Sequence, residues 1–314
     1  MIPLQTQLSI PKSLNTINYQ SKIALLGSCF VDNIGDKLSY FKFNTLVNPF
    51  GILFHPKAIH SLLEKVVKGE HFIEEDVFYF NEKWQSYAVH SDLSRASKEE
   101  ILEVLNTSLL GAYEYLNKAT HVIITLGTAW GYEILENNKF VANCHKVPQK
   151  NFKKRLFDVK EIYSLLHNII HLIQGINPSI MIVFTISPVR HIKDGIIENQ
   201  RSKANLITAV HQVLNDNVEY FPSYEIMMDE LRDYRFYAND LIHPNALAVQ
   251  YIWEKFKNAC INTSCYEDME EVDKIQKSLA HKPFNENSVS HQKFLKNLNE
   301  KIAYLEAKNP AIRF

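Results

Sequence analysis

Three short apolar runs stand out along the chain: KIALLG (22–27), HVIITLG (121–127) and MIVFTIS (181–187). Each is nearly free of charge and leads into a Gly- or Pro-containing loop, the pattern of strands buried on both faces of a parallel sheet. FNTLVN (43–48) predicts a fourth strand. Between these runs the apolar spacing turns helical, predicting helices over 56–68, 99–118, 158–174, 200–215 and 244–261. In the third helix Ile162, Leu165, Leu166, Ile169, Ile170 and Ile173 share one face. The second is announced by Ser97 and Glu100 at capping-box spacing.

Two segments alternate instead with a period of two. DVFYFNEKWQSYAVH (76–90) predicts a hairpin around Asn81-Glu82-Lys83, and WGYEILENNKFVAN (130–143) one that turns at Asn137-Asn138. Strand–helix alternation with such insertions predicts an open three-layer α/β/α fold with a mostly parallel sheet. Ligands on such sheets bind beyond the carboxyl ends of the strands. From residue 266 the chain becomes polar, charged and helical, with Leu295, Leu298, Ile302 and Leu305 as a narrow apolar stripe. This divides the chain into an α/β domain (1–265) and a helical C-terminal extension (266–314). The stripe must lie against the main domain or a second subunit, so a homo-oligomer through these helices is one expectation.

Composition narrows the partners. The 314 residues carry a formal net charge of −1 and no long Lys/Arg run, which argues against a nucleic-acid partner. No run approaches the ~20 apolar residues of a membrane helix, and the N-terminus lacks the pattern of a secretory signal. The four cysteines, Cys29, Cys144, Cys260 and Cys265, have no CxxC spacing. They predict free thiols in a reducing cytoplasm rather than disulfides or a zinc site.

Chemistry concentrates at two places. In LGSCF (26–30) a strand stops at Gly27 and enters a helix, holding Ser28 at the sheet edge as a nucleophile or a helix cap. In NDLIHPN (239–245), Asp240 and His243 precede a helix at a spacing that lets the carboxylate receive the imidazole Nδ1–H and leave Nε2 as a base. The plain alternative is that both residues cap that helix in water.

An early Ser28 with a late Asp-x-x-His resembles the SGNH/GDSL hydrolase superfamily. The residues Gly27-Ser28-Cys29-Phe30 bring it closer still to the GSCFA-domain family, with Val31 in place of that family's Ala. The resemblance continues through NPFGILFHPKAI (48–59), LGTAWGYE (126–133), NCHKVPQ (143–149) and SPVRH (187–191), and into the tail. It implies a flavodoxin-like SGNH hydrolase fold, no cofactor and no metal, and a triad of Ser28 as nucleophile, His243 as general base and acid, and Asp240 as orienting carboxylate. It further implies oxyanion donors at the Ser28 and Gly51 backbone N–H groups. The superfamily's third donor, an Asn, is replaced by Ala129, leaving Thr128, Asn143 or Asn48 as substitutes; Asn48 could equally hold the turn before Pro49.

His145, Lys146 and Arg190 sit in loops after strands, where they face a ligand or simply meet solvent and carboxylates. His191 rivals His243 as base but lacks an Asp at the right spacing. Cys29, beside the nucleophile, reads as packing, and Trp130 and Tyr132 as sugar-stacking or core. The expected function is a serine-dependent ester hydrolase acting on an acylated small molecule or carbohydrate. An acyltransferase using the same triad, or a binding or scaffolding module of the same fold, are the alternatives.

Overall fold

The computed structural model describes residues 5–285 and 287–314. Its regular elements, in order, are β1 (Lys22–Gly27), α1 (Cys29–Tyr40), β2 (Asn44–Val47), α2 (Pro56–Lys68), β3 (Phe78–Phe80), β4 (Lys83–Gln85), α3 (Lys98–Leu116) and β5 (His121–Leu126). They continue with β6 (Trp130–Ile134), β7 (Phe140–Val141), β8 (Phe152–Leu156), α4 (Val159–Ile176), β9 (Met181–Ile186), α5 (Ile196–His211) and β10 (Val218–Phe221). The short α6 (Ser223–Glu225), α7 (Ala246–Cys260), α8 (Tyr266–Leu279) and α9 (Val289–Lys308) complete the chain.

The central sheet has the order β10-β9-β5-β1-β2, and every pairing is parallel. From β1 the chain steps to β2 on one side, then crosses to β5 on the other. The strand order therefore reverses at β1, which creates the crevice where such sheets bind ligands.

Alternate residues feed two cores. Val122, Ile124 and Leu126 of β5 join helices α2 to α5 on one face. Ile123 joins α1, α7, α8 and α9 on the other. The chain is thus a three-layer α/β/α protein.

The predicted strands and helices are present, with ends shifted by a few residues. Two strands had no clear signal in the sequence. β10 is four residues long and carries Glu219 at the sheet edge. β8 reads FKKRL, and its three cations mask the strand period, yet it pairs antiparallel with β6 and makes the second hairpin a three-stranded sheet. The first hairpin turns on Asn81 and Glu82, both with positive φ.

The C-terminal helices pack on the main domain. Leu298, Leu305 and Ile312 are buried in one cluster with Trp253 and Phe256, while Ile302 packs at its margin. Leu295, the first residue of the predicted stripe, is 36% exposed and lies outside this cluster. Polar contacts add register: Tyr40 Oη donates to Asp273 at 2.9 Å, and Gln276 Nε2 to the Tyr40 carbonyl at 2.9 Å.

Candidate active site

Gly27 closes β1 at φ 141°, and a Cβ there would stand 2.2 Å from the Thr125 carbonyl oxygen. Only glycine lets β1 turn so close to β5. Ser28 follows as the N-cap of α1: its backbone is extended and its Oγ accepts from Phe30 N–H at 3.3 Å. The residue is 1% exposed. The helix-cap role expected of this position is thus present, at the sheet's topological switch point.

At the far end of the site, Asp240 Oδ2 lies 2.6 Å from His243 Nδ1. Asp240 Oδ1 accepts from the backbone N–H of Ile242 at 2.9 Å and of His243 at 3.0 Å. These donors hold the Asp240 carboxyl down at about 2. An ionised carboxylate can only accept, so Nδ1 carries the shared proton, and in that tautomer Nε2 is the acceptor. Nε2 has no hydrogen-bond partner among the described residues, and the imidazole is about half exposed. The backbone N–H of Arg190, next to His191, donates to the carbonyl of Ile242, next to His243, at 3.2 Å. His191 in turn sits against Gly127, at the end of β5 beside Gly27. The serine and the Asp–His pair therefore occupy the same carboxyl edge of the sheet.

Two of the expected oxyanion donors, the Ser28 and Gly51 backbone N–H groups, are otherwise engaged. Ser28 N–H donates to the Thr125 carbonyl at 3.0 Å and Gly51 N–H to the Asn48 carbonyl at 2.8 Å, so neither is free as expected. Gly51 has φ 70°, and a Cβ there would stand 2.4 Å from His90 Cβ. Asn48 Oδ1 accepts from Gly27 N–H at 2.9 Å while Nδ2 donates to Asp32 Oδ1 at 2.7 Å. Asn48 thus fastens β1 to the first turn of α1. Thr128 Oγ1 is 3.0 Å from Ser202 Oγ and accepts from Trp130 N–H. Asn143 Oδ1 accepts from His145 N–H at 2.9 Å, and His145 Nε2 meets the Ser86 carbonyl at 2.7 Å. His145 is buried, holding the 143–146 loop rather than facing open solvent. These hydrogen bonds share one cause. Loops without a ladder must satisfy their own buried polar groups, and these side chains do so first.

A family model described as GSCFA family matches residues 22–256. The chain belongs to the GSCFA family. A second model, GSCFA domain protein, C-terminal domain, matches residues 272–314, the stretch that holds most of α8 and all of α9. No curated protein matches the chain.

In this GSCFA protein the remaining candidates divide clearly. His191 is pushed down to about 3, first by burial and then by Lys203 and His243. Burial thus makes it a much weaker base than an ordinary imidazole. Cys29 keeps its proton: burial and Asp32 push the thiol up, outweighing the helix N-terminus that would lower it. Trp130 Nε1 donates to the Glu198 carbonyl, and the Lys154 ammonium stands over the Trp130 and Tyr132 rings at 5.2 and 5.3 Å. Arg190 is tied to the His243 loop, its N–H donating to the Ile242 carbonyl and its Nη1 to the Leu241 carbonyl. No group of three or more His, Cys, Asp and Glu among the described residues could hold a metal ion. No helix among them is long and apolar enough to cross a membrane.

Sequence reading missed Lys203. It is 1% exposed, and its Nζ donates to the carbonyls of Gly127 and Ser187 at 2.8 Å each. It cross-links the loops leaving β5 and β9, directly beneath the site. Burial pushes it down to about 7. A signal did exist: Asn199, Ser202, Lys203, Leu206, Ala209 and Val210 form the buried face of α5. The polar half of that face lies under the sheet's carboxyl edge.

Proposed function

We propose that this GSCFA protein is an SGNH-type serine hydrolase of ester bonds, with Ser28 as nucleophile, His243 as base and acid, and Asp240 as its orienting carboxylate. The observation that carries the reading is the 2.6 Å Asp240–His243 bond, which fixes the tautomer and leaves Nε2 unpartnered at the edge of the sheet that holds Ser28. In the proposed reaction Ser28 Oγ attacks the ester carbonyl carbon as Nε2 takes its proton. His243 then returns that proton to the leaving alcohol oxygen. A water molecule, deprotonated at Nε2, attacks the acyl-enzyme carbonyl, and the acid leaves as Ser28 regains its proton. A sugar hydroxyl in place of that water would make the same machinery an acyltransferase.

Ser28 is covered in this conformation. The loop after β2 is held to the end of β1 by Leu53 N–H, which donates to the Gly27 carbonyl at 2.9 Å. Turnover therefore requires Ser28, 1% exposed, to be uncovered. The same coverage favours the second reading, a binding module in which Ser28 serves only as a cap.

Labelling with a fluorophosphonate, followed by mapping of the modified residue, separates the two. Ser28 carries the label under the hydrolase reading, and Ser28→Ala and His243→Ala abolish both labelling and ester turnover. Equal turnover in all three proteins sinks it.

A further inference from the structure

A cavity of about 250 Å³ opens beside the His243 loop. Its walls include Arg190, Asn199, Tyr224, Met228, Tyr234 and Tyr237. The Arg190 guanidinium stands over the rings of Tyr237 and Tyr234 at 5.3 and 5.8 Å. Its charge also opposes the upward push of burial on the Tyr224 and Tyr237 hydroxyls.

The other charged residues of this cavity cancel or point to partners. Arg232 lies 3.9 Å from Asp229, and Asp233 holds Arg235 at 2.7 Å. Among the charged residues lining this cavity, Arg190 lacks a carboxylate partner among the described residues; its side chain meets the Leu241 carbonyl at 3.4 Å and the Tyr237 hydroxyl. Asn199 is 4% exposed; its Oδ1 is taken by His191 N–H at 2.9 Å, and its Nδ2 is left as a donor at the cavity wall.

We propose that this cavity is a subsite for a carboxylate borne on a ring, so that the preferred esters are anionic ones whose non-reacting part carries such a group. The chemistry follows from the wall. A guanidinium fork pairs with a planar carboxylate through two N–H groups. The tyrosine rings offer flat faces to a ring beside it. The volume suits one substituted ring rather than a long chain. Leu241, whose carbonyl accepts from Arg190 Nη1, lies two residues before His243, so the cavity adjoins the loop that carries Nε2. The substrate class rests on the hydrolase reading; the binding of the anion does not.

Two measurements keep the claims apart. Binding is read by titrating the wild-type protein and Arg190→Ala with 4-hydroxybenzoate and with 4-hydroxybenzamide, neither of which is an ester. The wild type is expected to bind the anion at least about tenfold more tightly than the amide, and Arg190→Ala to lose that preference. Equal affinity of the wild type for the two overturns the subsite, whether or not the variant folds. Turnover is read with 4-acetoxybenzoate against 4-acetoxybenzamide, and the anionic ester is expected to show the higher kcat/KM by a similar factor, collapsing toward one in Arg190→Ala. Binding preference without hydrolysis of either ester defeats the hydrolase reading and leaves the anion site standing. Hydrolysis of both esters without preference does the reverse.

Discussion

Lys203 makes the sharpest physical demand on this fold. Its ammonium is wholly buried, and its pKa of about 7 stands against an ordinary 10.5. Between those values the unfolded chain still holds a proton that the folded protein has released. Stability therefore rises with pH through that window, by up to about 1.4 kcal/mol per pH unit. From pH 7, where the folded lysine is half protonated, to pH 9, the gain is about 2 kcal/mol. Buried thiols work against it in the same range, because burial pushes up Cys29, Cys144, Cys260 and Cys265. A raised acid costs stability once pH passes its unfolded value, so the wild-type curve alone is ambiguous. Lys203→Met isolates the lysine. At pH 7 it removes a burial penalty of about 4 kcal/mol but strands the Gly127 and Ser187 carbonyls, each at about 1–3 kcal/mol, leaving a small net change. By pH 9 the wild type should have gained about 2 kcal/mol on the variant. Urea unfolding of both proteins at pH 7, 8 and 9, followed by tryptophan fluorescence, reads the difference. A difference constant with pH would refute the buried, proton-shedding lysine.

Three further perturbations test other parts of the site and its support. Asp240→Asn keeps the side chain's shape but loses the ionised acceptor that fixes His243, and ester turnover should fall about a hundredfold or more with little change in KM; unchanged kcat would show that the pair only caps the loop. Gly51→Ala places a methyl 2.4 Å from His90 Cβ at φ 70° and should cost at least about 2 kcal/mol in urea unfolding, whereas Gly111→Ala, with open space around it, should not destabilise. Leu305→Ala empties a site 2% exposed and should cost about 2–5 kcal/mol in a single transition; a separate early transition would show that the C-terminal helices melt independently.

How legible the molecule was depends on whether a residue's meaning is local. β5 and β9 were plain in the sequence because every side chain in them is buried, so no Asp, Glu, Lys or Arg interrupts the run. The Asp240–His243 bond was readable because its geometry is set within a span of four residues. The oxyanion donors were not. Whether Gly51 N–H is free depends on the turn closed by Asn48, and whether Thr128 is free depends on Ser202, 74 residues away. β8 and Lys203 failed for a related reason. Charged residues in a string read as solvated, yet Arg155 is held by Glu133 and Glu161, and Lys203 by two carbonyls supplied from other elements.

Ser28 itself shows why a cap and a nucleophile can share one residue. Its bond from Phe30 N–H is long, at 3.3 Å, and an N-cap bond contributes only about 1 kcal/mol. The helix keeps its start without it, because Val31 N–H donates to the Ser28 carbonyl at 2.8 Å. In the proposed reaction, turning Oγ toward His243 uncaps Phe30 N–H. That leaves the Cys29 and Phe30 N–H groups exposed at the positive end of α1 as the oxyanion forms. A preorganised donor contributes roughly 3–4 kcal/mol to such an intermediate, several times the cap it replaces. The engaged Ser28 and Gly51 N–H groups then need not be freed, and the energetic obstacle shifts from the oxyanion to the burial of the serine itself.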